Sequence, residues 1–147
     1  MRVRGFEYYE GYEGVVPLPQ RATDKSAGYD FEAAETVTLA PGEIALIKTG
    51  LKAYMQSDEY LAVHVRSGLS VRNGLSCIND VGVIDADYYD ANGHIMVPVI
   101  NLGKAELTIE KGMRFAQGIF QKYLTIDNDT PKATARTGGF GSTGEKS

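Results

Sequence analysis

A chain of 147 residues suffices for one domain with a substantial core, and 43% hydrophobic with 23% charged residues is ordinary for a soluble globule. The net charge of -4 argues against non-specific DNA or RNA binding, which draws on a basic surplus, and no run is apolar enough to span a bilayer. No apolar signal core follows Met1-Arg2-Val3-Arg4-Gly5, so a cytoplasmic protein is expected.

In chain order, Val37 and Leu39 lead through the turn pair Pro41-Gly42 into Ile44–Ile47. Leu61, Val63 and Val65 alternate with Ala62, His64 and Arg66, the period of a strand with one apolar face. Ser67 to Asn73 has room for one or two helical turns with Ser67 as cap. The single cysteine, Cys77, excludes an internal disulfide and reads as a small buried hydrophobe; with only two histidines, a zinc site is not expected. Asn73-Gly74 and Asn92-Gly93 are turn signals. Ile95 to Ile100 is apolar on both faces, so it is central or lies at a subunit contact, and Pro98 within it predicts an edge or a bulge. From Met113 to Ile126, Phe115, Ile119 and Tyr123 have helical spacing, but Gly118 and the preceding Glu110-Lys111-Gly112 turn favour a strand. Many short strands and almost no helix predict an all-β sandwich, jelly roll or barrel over residues 1–126. Residues 127–147 form a polar linker and a Gly-rich arm.

Five segments carry chemistry. Ser26-Ala27-Gly28-Tyr29-Asp30 is the first. Arg66-Ser67-Gly68 reads either as a capped turn or as a phosphate site, where Arg supplies a charged fork and Ser67 and nearby amides supply donors. In Asn79 to Tyr88, Asp85 and Asp87 flank Ala86, so on a strand both carboxylates share a face. Such a pair can hold a metal, divide acid and base duties, or simply end a strand in solvent. Gln117, among apolar neighbours, is a satisfied core amide or a ligand contact. The arm, Arg136 to Gly144, combines four glycines with Ser142, Thr143 and Phe140. That mixture suits a phosphate and a flat ring together, or else a frayed end.

Taken in this order and spacing, with Pro19-Gln20-Arg21-Ala22-Thr23 ahead of the first segment, the chain resembles the trimeric dUTP diphosphatase (dUTPase) family from about Pro19 to Gly144. The resemblance implies a homotrimer of jelly-roll-like subunits that converts dUTP and water to dUMP and diphosphate. That reaction limits uracil incorporation into DNA and supplies dUMP for thymidylate synthesis. It implies active sites shared between subunits, the arm of one closing over a site formed by others, and Mg²⁺ held mainly by the triphosphate. Asp85 matches the general base that activates water against the α-phosphorus. Tyr88 matches the ring under deoxyribose that leaves no space for a 2′-hydroxyl. Asn79, with the backbone of Gly82, Val83 and Ile84, matches the hairpin that reads uracil; Met96 falls on its return strand once an insertion is discounted. Arg66, Ser67, Gly68 and Gln117 match phosphate contacts, and Asp30 an acid near the metal's water shell. In the arm, Arg136 matches the γ-phosphate clamp, Phe140 the ring covering uracil, and Gly141, Ser142 and Thr143 the phosphate cradle.

Three departures stand out, one being that Tyr89 takes the place of the family's common Arg after Asp-Tyr. Tyr89-Asp90-Ala91-Asn92 separates Tyr88 from Gly93, where the family usually has one residue; the insertion is expected at a hairpin tip away from Asp85. One residue separates Arg136 from Gly138-Gly139, where many relatives have two. Two other classes fit the same features: a dCTP deaminase-like enzyme of this fold, and a dUTP-binding regulatory protein acting through a protein partner. The first needs a differently placed catalytic Glu, and no such block follows Tyr88.

Overall fold

The computed structural model describes residues 1–136. The strands are β1 (Gly5–Tyr8), β2 (Gln20–Arg21), β3 (Tyr29–Glu32), β4 (Val37–Leu39), β5 (Ile44–Lys48), β6 (Leu51–Tyr54) and β7 (Glu59–Val65). Helix α1 (Ser67–Asn73) follows, then β8 (Leu75–Cys77), β9 (Gly82–Asp85), a 3-10 turn (Ala86–Tyr88), β10 (Met96–Asn101), β11 (Leu107–Ile109) and β12 (Arg114–Lys122). The largest sheet has the order β2-β3-β12-β7-β9; a second has the order β5-β10-β8, and β1-β6 and β11-β4 form two-stranded ribbons. The result is the all-β, jelly-roll-like sandwich of short strands that the sequence predicts. Among the described residues no helix is long and apolar enough to cross a membrane.

The core sits where the inward sides of these sheets meet, around Phe31, Leu39, Ile47, Leu61, Val63, Leu75, Ile95, Val97, Val99, Ile109 and Phe115. Along β10 burial alternates strictly, Val97, Val99 and Asn101 inward and Met96, Pro98 and Ile100 outward, as period-2 geometry requires. Asn101 is fully buried yet satisfied: its Nδ2 donates to the carbonyls of Leu39 and Ala105, and its Oδ1 accepts from Gly103 N–H. Cys77 is buried as expected, and burial pushes its thiol pKa up. Glu59 is buried under a two-pronged contact from Arg4, with Nη2 at 2.7 Å, which holds its carboxyl below the usual range.

Three local expectations change. Strand β10 is central, between β5 and β8, and not an edge. Pro98 is tolerated there because it lies level with Ile78, one residue past the end of β8, so its missing N–H falls at the end of that ladder while its carbonyl still accepts from Ile78 N–H. Ser67 is the first residue of α1 and not its cap. Arg66 holds the cap position in extended backbone, with no side-chain cap bond, and Gly74 closes the helix in the left-handed region at φ 74°. Strand β9 stops at Asp85, so Asp87 falls in the 3-10 turn.

Candidate active site

Strand β9 is the edge of the large sheet and pairs antiparallel with β7, with Tyr60 opposite Asp85 and Val63 opposite Gly82. Alternation buries Gly82 and Ile84 and turns Val83 and Asp85 outward. Tyr60, Val81, Val83, Asp85 and Tyr123 line an open depression on that face. Asn79 is exposed in the turn before β9, held by the Cys77 thiol, which donates to its Oδ1 at 3.0 Å. Although they do not share a strand, Asp85 and Asp87 meet on one cation. Arg136 of the same chain places Nη2 2.5 Å from Asp85 Oδ2 and Nε 2.9 Å from Asp87 Oδ1. The two carboxylates, Asp87 first, raise the guanidinium pKa above its ordinary value. The arm therefore returns, as far as it is described, to its own chain's acidic pair. Phe140, Gly141, Ser142 and Thr143 lie outside the described residues.

Tyr88 is half-buried at the end of the 3-10 turn, and burial pushes its phenol pKa up, which keeps the hydroxyl a donor. It donates to the carbonyl of His94 at 2.7 Å. Gly93 lies against its ring so closely that a Cβ there would sit 2.2 Å from Tyr88 Cδ2. Met96, half-buried, begins the return strand opposite Lys48.

A second group lies elsewhere. Asp30, Gln117 and His64 stand side by side across β3, β12 and β7. Arg66 follows β7 and lies 3.6 Å from Asp30 through its Nε. Gln117 is half-buried, its carboxamide over Gly28. Arg66, Ser67, Gly68, Leu69, Arg72, Met113 and Arg114 line a recess. Gly68 lets the Arg72 guanidinium lie close over the backbone there: a Cβ would sit 2.9 Å from Arg72 Nη2, a contact that long side chain would have to yield. Three guanidinium groups and a hydroxyl at a single recess suit a polyanion. Arg72 and Arg114 were not singled out from sequence; the spacing of Gly68 and Arg72 on one face of a helix was the available signal.

The two groups are far apart within one chain. Asp85 is opposite Tyr60, and Arg66 lies six positions further along the β7 direction, a span of about 20 Å. Among the described residues no three His, Cys, Asp or Glu side chains cluster to hold a metal. A single carboxylate such as Asp30 suits contact with a hydrated ion carried in by a phosphate ligand better than a dedicated protein cage.

His94 sits behind the hairpin, 9% exposed, and its Nε2 accepts from Gly50 N–H at 2.8 Å. Burial, helped by Lys48, pushes its pKa down to about 4 from 6.5. The folded chain therefore holds the ring neutral while the unfolded chain protonates it first. Its contribution is complete above pH 6.5 and declines as pH falls towards 4, by about 3 kcal/mol in total. Urea unfolding at fixed protein concentration should lose stability across that window. His94→Gln, which keeps an acceptor for Gly50 but does not titrate, should flatten this limb; an unchanged limb would show that another group carries it.

The model of the dUTPase family matches residues 15–144. The deoxyuridine 5'-triphosphate nucleotidohydrolase of Lactococcus lactis subsp. lactis (strain IL1403) is 51% identical over 149 aligned positions, covering 98% of this chain and 99% of the relative. The crystal structure of dUTPase from Streptococcus mutans superposes with a TM-score of 0.78 at 42% identity, over 84% of this chain and 99% of that one. A dUTPase from phage phi11 of S. aureus, described with a structural Mg(II) ion, shares the fold with a TM-score of 0.75 at 22% identity, over 90% of this chain and 98% of that one.

Proposed function

Because the chain belongs to the dUTPase family, we propose that it hydrolyses dUTP to dUMP and diphosphate through a site assembled from more than one copy of itself. The observation that carries the shared site is the span of about 20 Å between Asp85 and Arg66 on one chain. A base must lie within about 3 Å of the water it activates. Side chains stand roughly perpendicular to a sheet, so most of that separation carries over to the charged groups. Phosphate contacts at Arg66 then lie poorly placed for a triphosphate whose α-phosphorus is at Asp85 of the same chain. Asp85 of one copy and the arginine recess of another can meet on one substrate. A closed ring of three copies satisfies this for every site at once. The outward side of the β5-β10-β8 sheet supplies a surface for assembly: Ile44, Leu46 and Ile78 are exposed there, beside half-buried Met96, Pro98 and Ile100.

In this reading Asp85 accepts a proton from water as the oxygen attacks the α-phosphorus. The bond from that phosphorus to the α,β-bridging oxygen breaks, and diphosphate leaves with the bridging oxygen and its electron pair. Arg66, Ser67, Gly68 and Gln117 hold the phosphates of the departing group, and Arg72 and Arg114 add charge to the same recess. Mg²⁺ enters as part of the substrate, on the triphosphate, with Asp30 near its water shell. The triphosphate competes with Asp85 and Asp87 for Arg136, so substrate binding frees the base as it recruits the arm. Phe140, Gly141, Ser142 and Thr143 then cover uracil and phosphates. Asn79, the backbone of Gly82, Val83 and Ile84, and Met96 frame the base, and Tyr88 packs under deoxyribose.

Diphosphate and ammonia release, measured with dUTP, dCTP, dTTP and UTP, tests this. Diphosphate is expected chiefly from dUTP, with UTP poorer by about 10- to 200-fold, the worth of a steric pocket wall. Tyr88→Ala should narrow that preference. Ammonia release, or equal turnover of UTP and dUTP by the unmodified protein, would contradict the reading.

A further inference from the structure

We propose that Tyr9 is a positioning residue for sugar selection, bracing through His94 the ring that meets the deoxyribose. The inference rests on the reading of Tyr88 given above. Residues 1–14 precede the part of the chain matched by the family. Strand β1 nevertheless adds to β6 in full register, Gly5 opposite Tyr54 through Tyr8 opposite Leu51. Tyr9 N–H then donates to Gly50 O at 2.9 Å, which turns its ring onto His94. The two rings stack with centroids 4.4 Å apart and planes 13° from parallel, and Tyr12 closes the other approach at 5.1 Å. With Nε2 also accepting from Gly50 N–H, the imidazole is held on several sides. Its own carbonyl is the acceptor for the Tyr88 hydroxyl. A shift of His94 therefore moves the tether that fixes the depth of the Tyr88 ring.

The insertion is braced from the same side. Tyr89 donates to Glu7 Oε1 at 2.7 Å and packs edge-on against Tyr54. Lys52 Nζ lies 4.4 Å from the Tyr89 ring centre and donates to Asn92 Oδ1 at 3.1 Å. The residues on either side of the Tyr88–Gly93 contact are thus anchored to the N-terminal strand and its partner. A longer connection between Tyr88 and its return strand would otherwise give that ring more freedom, and selection against a 2′-hydroxyl depends on a wall that does not retreat.

The test measures kcat/KM for dUTP and UTP on assembled protein for four variants. Tyr9→Leu keeps apolar volume but loses the stack; it should lower the dUTP:UTP ratio about tenfold, with kcat on dUTP within about threefold of the parent. Tyr9→Phe keeps the stack and should restore the parent ratio. Tyr88→Phe, which keeps the ring and removes the hydroxyl bonded to the His94 carbonyl, should lower the dUTP:UTP ratio as Tyr9→Leu does. Glu7→Ala frees the insertion through Tyr89 without touching the stack; it should also lower the ratio, and it stands in if Tyr9→Leu does not assemble. An unchanged ratio in Tyr9→Leu and Glu7→Ala beside a lowered one in Tyr88→Phe overturns the brace and leaves the Tyr88 reading intact. Equal losses on both nucleotides also overturn it, since that is the signature of a merely structural role. An unchanged ratio in both Tyr88→Phe and Tyr88→Ala overturns the Tyr88 reading, and the brace with it.

Discussion

Asp85→Asn is expected to lower kcat on dUTP by at least about 10²-fold, the low end for loss of a general base, while dUTP still binds. The asparagine keeps the shape of the side chain and an oxygen facing Arg136, but it cannot take the proton from water. Binding should therefore survive, because on the proposed reading the recess around Arg66 takes the phosphates and the hairpin takes the base. Diphosphate release under saturating dUTP, with calorimetry at equilibrium for affinity, separates the two quantities. Near-normal turnover would move the role to Asp87, whose carboxylate shares Arg136 with Asp85. That outcome would also show the 3-10 turn, and not the strand end, to be the reactive position.

Truncation after Ala135 should leave assembly intact and cost about 10²- to 10³-fold in kcat, the scale on which charge-stabilising donors act. The core and the exposed apolar side of the β5-β10-β8 sheet lie wholly before that point, so light scattering should report the same particle. The loss removes Arg136, which the structure already places on Asp85, together with Phe140, Ser142 and Thr143. Release of Asp85 and Asp87 from that cation leaves two like charges near each other, which further disfavours approach of a triphosphate. Full activity in the shortened chain would remove the arm from the mechanism.

The candidate site is legible only as a set. An Arg-Ser-Gly at a strand end, an Asp closing an apolar strand and a glycine-rich arm each also read as a capped turn, a solvated strand end or a frayed terminus, and only their order and spacing point together to phosphate chemistry. The strand at Arg114–Lys122 is likewise legible, since Gly118 and the Glu110-Lys111-Gly112 turn before it outweigh the helical spacing of Phe115, Ile119 and Tyr123. What escaped depends on partners distant in sequence. Pro98 argued for an edge, but the length of β8, which decides whether a central donor is missed, is set by the turn at Ile78–Val81. Asp85 and Asp87 were expected to share a strand face; they share Arg136 instead, through a turn that no period-2 pattern reveals. The N-terminal strand was missed although Phe6 and Tyr8 alternate with Gly5 and Glu7, because four residues are too few to outweigh a terminus. Its value emerges only from pairs such as Glu7 with Tyr89, 82 positions apart.

The central claim is that Asp85 and Arg66 serve one substrate from different copies of the chain. Asp85→Asn and Arg66→Ala chains, each nearly inactive alone, should be mixed in equal amounts under conditions that allow exchange. Native mass spectrometry then reports the composition of the assemblies. In a three-fold ring with random exchange, about a quarter of all sites combine an intact Asp85 from one copy with an intact Arg66 from its neighbour. Diphosphate release should accordingly return to about a quarter of the parent rate. Mixed assemblies that remain as inactive as either parent would contradict the shared site, and so would full activity in a chain that light scattering finds to be a monomer.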